Sequence, residues 1–377
     1  VMLVSILVFS IANSFLKVDG ALRILLKIAL LPVVAGLSYE LLRGLAKTNC
    51  FIFYPLKAPG LLLQHITTRE PDEQMLEVAI AAFKTVLEMD GDETIPTSKF
   101  ITAMPVEKLV AEVENVLKNG GVDEKSDAEW IVCNATGLKR SELEKNKTIV
   151  QPTHVKKAME TAKERASGRP LWYIIGDTDF YGYTIKVDER VLIPRPETEE
   201  LVAFSAENIK SDDKVLDLCT GSGAIAIALK LKTGATVTAS DVSDGALELA
   251  VENAAQNNAD IAFVKSDMFE DITDSFDIIV SNPPYIPTQD INGLEKSVKD
   301  YEPTLALDGG ADGLDYYKII AVDGINHLNA GGKLFLEVGI GQATAVKELL
   351  EQAGFINVEI RKDISGIERM IKAEKIA

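Results

Sequence analysis

From Lys214 onward, short apolar runs alternate with stretches of helical periodicity. Val215 to Leu218, Thr236 to Ser240, Ala262 to Lys265, Phe276 to Ser281 and Lys333 to Val338 read as strands, each too short for a helix. Ala224 to Lys232 and Ser243 to Asn257 read as helices between them. Alternation of this kind predicts crossover units, hence an α/β fold with a parallel sheet covered on both faces. Upstream, Pro105 to Lys118 has a helical period and stops at Asn119-Gly120-Gly121. Ser126 to Thr136 is a second helix, with Ser126 as N-cap and Glu129 as its capping-box partner. Ser141 to Lys145 and Thr153 to Ser167 complete a small helical domain. From Leu171 to Ile193, aromatic and β-branched residues around Gly182 and Asp188 predict a β-hairpin linker.

The beginning of the chain follows a different pattern. Val1 to Leu16 is almost wholly apolar, and Leu22 to Leu37 is apolar apart from Arg23 and Lys27. Each run is somewhat shorter than the roughly 20 residues that span a bilayer, and no clear signal-peptide pattern is present. Two readings stand: a truncated membrane segment, or a buried helical hairpin turning at Lys17-Val18-Asp19-Gly20. The first is favoured, as a membrane domain whose front part is missing. The stretch Leu61 to Asp72, leading into a helical pattern from Glu73 to Glu88, resembles the end of the YqhQ-like family. These are multi-pass bacterial membrane proteins of unknown function with a suggested metal-dependent activity. The resemblance covers about residues 1–92, and His65 and Glu70 within it read as surface residues. Asp90 to Ser98 is polar and carries Gly91 and Pro96, so 93–104 reads as a linker.

Composition narrows the functional classes. The net charge of −18, from 39 basic and 57 acidic residues, is opposite to the footprint of a duplex nucleic-acid binder. Cys50, Cys133 and Cys219 are too scattered for a disulfide framework, which fits a reducing compartment, and His65, His154 and His327 are equally dispersed. No metal site is expected, and the location expected is the cytoplasm, with a possible membrane tether through residues 1–45.

Four motifs carry chemistry. Val215 to Ala224 is a strand running into a glycine loop, Gly221-Ser222-Gly223, that opens a helix. Ligands of open α/β sheets bind beyond the carboxyl ends of the strands, where this loop lies. The full dinucleotide fingerprint is absent, and Asp217 just before the glycines would repel a pyrophosphate while attracting an α-ammonium group. Asp241 ends the next strand at the spacing that suits ribose hydroxyls, although a helix N-cap explains it equally well. Lys265-Ser266-Asp267-Met268-Phe269 follows strand three, where Asp267 can accept from an adenine amino group. Ser281-Asn282-Pro283-Pro284-Tyr285 decides between uses of such a site. An amide nitrogen is a poor nucleophile because its lone pair is delocalised. Asn282 and the Pro283 carbonyl can accept both of its N–H hydrogens, Pro284 stiffens the turn, and Tyr285 offers a face for stacking. Methyl transfer from S-adenosylmethionine to a planar nitrogen needs little more than this positioning.

At these residues the chain, from about Pro105 to the C-terminus, resembles the release-factor glutamine N(5)-methyltransferases (the HemK/PrmC family). The resemblance rests on Phe180-Tyr181-Gly182, Val191 to Glu199, the glycine loop, Asn282 to Tyr285, Tyr301-Glu302-Pro303 and Leu307 to Gly313. It implies a class I (Rossmann-like) seven-stranded methyltransferase domain at 196–377, preceded by a helical release-factor-binding domain at 105–170 and a hairpin linker at 171–195. It implies as substrate the glutamine of the Gly-Gly-Gln loop in class-1 peptide chain release factors. The expected cofactor residues are Asp217, Thr220, Gly221, Gly223, Asp241, Asp267, Met268 and Asn282. The expected substrate residues are Asn282, Pro283, Pro284 and Tyr285, with Arg195 and Glu197 lining the site or serving as ordinary helix-start residues. Asn282, Pro283 and Tyr285 are the catalytic candidates. Cys219, where the family commonly has glycine, should crowd the loop only slightly. An adenine amino-methyltransferase and a membrane-associated interaction protein with an inactive domain are the alternatives. The joined halves suggest a fusion of two reading frames, with Val1 arising from an alternative start.

Overall fold

The computed structural model describes residues 28–37, 39, 101–143 and 148–377. Expectations for the rest of the first hundred residues, including the two apolar runs as a whole, His65, Glu70 and the linker up to residue 100, lie outside them. Residues 28–37 are helical, and no helix among the described residues is long and apolar enough to cross a membrane.

The helical part begins with β1 (Met104–Pro105) paired to β2 (Ile149–Val150). Helices α1 (Val106–Asn119), α2 (Lys125–Thr136), α3 (Arg140–Leu143) and α4 (Pro152–Ala166) pack around Leu109, Val113, Leu117, Ile131, Val132 and Ala158. The expected capping box is absent: α2 starts one residue earlier, Glu124 takes the N-cap position, and no side chain caps it. The predicted hairpin linker opens with a helical turn, α5 (Leu171–Ile175), closed by Gly176 in the left-handed region. The hairpin proper is β3 (Asp177–Phe180) against β4 (Tyr183–Lys186). Phe180 is core.

After α6 (Pro196–Ala206) the sheet begins. Its strands are β5 (Lys214–Leu218), β6 (Thr236–Asp241), β7 (Ile261–Lys265), β8 (Phe276–Ser281), β9 (Leu328–Glu337), β10 (Ile356–Lys362) and β11 (Glu368–Glu374). They lie in the order β10-β11-β9-β8-β5-β6-β7, parallel from β9 to β7, with β11 antiparallel between β9 and β10. Helices α7 (Ala224–Thr233), α8 (Asp244–Gln256), α9 (Lys296–Lys299), α10 (Asp315–His327) and α11 (Ala343–Gln352) complete the chain. The result is a Rossmann-like methyltransferase fold.

Alternation along the central strands assigns side chains to two cores. Val215, Ile278, Val280 and Phe335 face one side, with α6 and α7. Leu216, Leu218, Ile279, Leu334 and Leu336 face the other, with α10 and α11. Both faces are covered, as continuous apolar strands require. The strand order reverses beside β5, so a crevice opens at the carboxyl ends of β5, β6 and β8.

Candidate active site

In register, Leu218 lies beside Ser240 on β6 and Ser281 on β8, so the ends of all three strands reach one level. There they border a cleft enclosing about 980 Å³, including its open mouth. Of the residues expected from the sequence, Thr220, Gly221, Asp241, Asp267, Met268, Asn282 and Pro284 line it. Gly221 and Gly223 have φ of +54° and +81°, a conformation that costs glycine nothing. The Asp241 carboxylate fixes the loop: Oδ2 accepts from Gly221 N at 2.9 Å and Oδ1 from Ser243 N at 2.9 Å. Burial raises its pKa against those backbone donors. It is not the helix N-cap, a position held by Ser243.

Other expected residues stand elsewhere. Asp217 does not line the cleft, because it shares a strand face with Val215 and points under α7. Its Oδ2 accepts from Thr220 Oγ1 at 2.6 Å and from Ala226 N at 3.0 Å. Its buried Oδ1 has no hydrogen-bond partner among the described residues, and burial pushes its pKa up to about 7. Gly223 sits behind the cleft wall, 3.1 Å from Ala250 Cβ for a Cβ added there, and serves as the N-cap of α7. Arg195 is drawn away from the cleft by a buried acid: Nη2 donates to Glu302 Oε1 at 2.6 Å. Burial raises the Glu302 pKa, and Arg195 opposes the rise. Glu197 is exposed in the first turn of α6, where an acid suits the helix end.

The sequence motifs do not point to several lining residues: Arg190, Val242, Leu305 and Tyr316. Arg190 is clamped by Asp188, with Nη2 at 2.7 Å from Oδ2, a two-residue spacing visible in the sequence. Leu305 and Tyr316 come from the long connection after β8, and no local pattern marks them.

Asn282 to Tyr285 follow β8. Asn282 and Tyr285 are half-buried, Pro283 and Pro284 buried. Neither Pro283 nor Tyr285 borders the cleft itself. Their backbone is held from behind by residues 307–313: Ile286 N donates to Leu307 O and Gly309 N to Ile286 O, both at 2.9 Å. Gly309 is required by contact, since a Cβ there would lie 2.7 Å from Tyr285 Cα. Gln342 Nε2 donates to Tyr285 O at 2.9 Å. Beneath the motif, Glu337 is buried at the end of β9. Burial pushes its carboxyl above the ordinary range, and Thr198 and Arg369 oppose that shift. Burial also pushes the Tyr285 phenol up to about 12, so it is neutral at ordinary pH.

The groups lining this cleft fit an S-adenosylmethionine molecule: two acidic strand ends, Asp241 and Asp267, and a backbone loop free of side chains at Gly221. Asp241 and Asp267 offer carboxylate acceptors at the ends of β6 and β7, and the Asp217 carboxylate, accepting from Ala226 N, already engages the α7 N-terminus that a pyrophosphate would use.

Comparison with known proteins points to the same cofactor class. The family described as Methyltransferase small domain matches residues 199–300, and the PrmC N-terminal domain matches 108–176. A family described as Protein of unknown function (DUF1385) matches residues 1–89. The release factor glutamine methyltransferase of Lactococcus lactis is 48% identical over 219 residues, 57% of this chain and 81% of that one. A solved protein-(glutamine-N5) methyltransferase (release factor-specific) from Alicyclobacillus acidocaldarius is 30% identical, covering 49% of this chain and 95% of that one at a TM-score of 0.31. The release factor glutamine methyltransferase of Geobacter sulfurreducens is 38% identical over 270 residues, 71% of this chain and 95% of that one. With a relative matched over nearly its whole length at that identity, the chain belongs to the release factor glutamine methyltransferases.

Proposed function

We propose that this protein methylates the side-chain amide nitrogen of the glutamine in the Gly-Gly-Gln motif of a class-1 peptide chain release factor, with Asn282 to Tyr285 receiving the amide. S-Adenosylmethionine, bound at the ends of β5, β6 and β7, supplies an activated methyl group. Thr220, Gly221, Asp241, Asp267 and Met268 form its bed, and Asp217 supports that bed from beneath through Thr220. Asn282 Oδ1 and the Pro283 carbonyl accept the two N–H hydrogens of the glutamine amide and so orient its nitrogen lone pair. Tyr285 packs beside the amide plane. No strong base is called for, because the proton leaves after the nitrogen has become cationic. Residues 105–170 are the part we assign to docking the release factor.

The observation that carries the reading is the rigid backing of the turn from Asn282 to Tyr285 beside the cleft at the strand ends. An acceptor pair held in this way stabilises a transition state without rearranging. The test is methyl transfer from labelled S-adenosylmethionine to a purified release factor, beside a factor whose Gly-Gly-Gln glutamine is replaced. Label on the first alone supports the assignment. Label on nucleic acid and on neither factor would replace it with adenine methylation.

A further inference from the structure

Two side chains from two elements meet beneath Asn282. Thr198, in the first turn of α6, is 5% exposed, and Glu337, the last residue of β9, is 2% exposed. Their proximity to the motif is fixed by register. Ser281 pairs with Leu336, so the next residues, Asn282 and Glu337, lie side by side as β8 and β9 end. Glu337 shares a face with Phe335, the face against which α6 packs. The Thr198 hydroxyl donates to Glu337 Oε2 at 2.7 Å, and Asn282 Nδ2 donates to Thr198 Oγ1 at 3.2 Å. Tyr285 Oη lies 3.5 Å from Glu337 Oε1. The Tyr317 hydroxyl donates to the Glu337 backbone carbonyl at 2.8 Å, which anchors the strand end.

The proton count of this chain has a directional consequence. A threonine hydroxyl has one proton to give. With Glu337 ionised it is directed to that carboxylate, so Thr198 then meets Asn282 only as an acceptor. The Asn282 amide must then turn its NH₂ toward Thr198, which leaves Oδ1 for the other side, toward the cleft. Reversed, the same side chain would present N–H groups to the glutamine N–H groups and repel them.

We propose that Thr198 and Glu337 are positioning residues that set the orientation of the Asn282 amide, so that its oxygen rather than its nitrogen faces the substrate. This rests on the assignment of Asn282 to the glutamine amide. Glu337 orders the hydroxyl, the hydroxyl orders the amide, and neither touches substrate. Without the relay the two amide orientations become closer in energy, and the reaction proceeds only from one of them. The loss therefore falls on the rate at saturation and leaves cofactor affinity alone.

The full-length protein is compared with Thr198→Val, Thr198→Ser, Asn282→Ala and the Thr198→Val/Asn282→Ala double variant. Single-turnover methylation of the release factor is measured at saturating S-adenosylmethionine, with calorimetric Kd for S-adenosylmethionine alongside. Thr198→Val, equal in size but without a hydroxyl, is expected to lower the rate about tenfold or more, with the Kd unchanged. Thr198→Ser restores most of the rate. In the Asn282→Ala background Thr198→Val has no further effect, as expected of residues acting through one another. A wild-type rate for Thr198→Val, with Asn282→Ala slowed, overturns the relay and leaves the amide assignment standing. A wild-type rate for Asn282→Ala overturns that assignment itself. Equal losses for valine and serine, or an undiminished effect in the double variant, mark Thr198 as a packing residue and overturn the relay. Should the valine variant not fold, Thr198→Ala, which also lacks a hydrogen-bonding group, puts the same question, and a wild-type rate there overturns the relay equally.

Discussion

Gly309 lies at the back of the motif, and adding one carbon there tests how rigid the amide-binding turn must be. A Cβ on residue 309 would stand 2.7 Å from Tyr285 Cα, 2.9 Å from Pro284 O and 2.9 Å from Tyr285 C. All three are backbone atoms, so no side chain can swing aside. Ordinary contact begins at 3.4 Å, so the turn must retreat by 3.4 − 2.7, about 0.7 Å. Hydrogen bonds on both sides of Ile286 resist that movement. Overpacking of this kind costs about 1–3 kcal/mol of stability. The larger effect is on chemistry. A 1 Å misplacement of a positioned group costs roughly 100-fold in rate, so about 0.7 Å predicts roughly 30-fold. Single-turnover methylation by Gly309→Ala, beside its thermal melt and its S-adenosylmethionine Kd, separates these effects. The expected variant folds, binds the cofactor normally and transfers methyl slowly. A wild-type rate in a folded Gly309→Ala protein would show that the turn is soft, and the argument from rigid backing would fail.

Asp217 gives a pH dependence of stability in the ligand-free protein. Its folded carboxyl is pushed up to about 7, from an ordinary 3.8, so between these values the folded state holds a proton that the unfolded chain has released. The associated stability is full below the lower value and lost as pH rises through the upper one. Asp217→Asn cannot lose that proton, so its melting temperature relative to wild type should rise between pH 5 and pH 8; a constant difference would refute this. Arg195→Met leaves Glu302 buried without its cation and should destabilise by about 3 kcal/mol in a denaturant titration. Adding Glu302→Gln should recover most of that loss, and a purely additive double variant would contradict the ion-pair account. Cys219 has φ of +61°, where a side chain costs about 1–2 kcal/mol. Cys219→Gly should therefore stay within about 1 kcal/mol of wild type, as the lost contact and added chain freedom offset the relief. Cys219→Val, branched at Cβ, should lose about 2 kcal/mol in the same titration.

The strands whose limits are clearest in the sequence are central ones covered on both faces, while the edge strand β7 is legible although none of its residues is buried. Val215 to Leu218 and Phe276 to Ser281 are apolar runs bounded by polar residues, and the observed β8 has those limits. The two C-terminal strands carry no such mark. β10 is mostly exposed, and Ile356 to Lys362 mixes charge and apolar residues without a clean period. Ser126 reads as a cap because its sequence fits one, but the helix begins a turn's fraction earlier and leaves it inside. The site divides in the same way. Loop residues such as Gly221 and Asn282 announce themselves by rare residue types in a row. Thr198 does not: its hydroxyl acquires a purpose only through Glu337, a partner 139 positions away. The pattern puts Asp217 at a strand end but not on a face, since the choice of face depends on where α7 lands.

The place of β11 in the sheet has a consequence for biosynthesis. Every motif residue, from Thr198 to Glu337, leaves the ribosome before residues 368–374 do. Yet β9, which carries Glu337, is flanked on its outer side by β11, with Glu337 itself paired to Met370. A nascent chain can therefore display the whole chemical vocabulary of the enzyme while one edge of its central layer is still open. Unpaired strand edges of that kind invite wrong partners, and the closing strand arrives last. Until residues 368–374 pair between β9 and β10, that edge of the layer stays open.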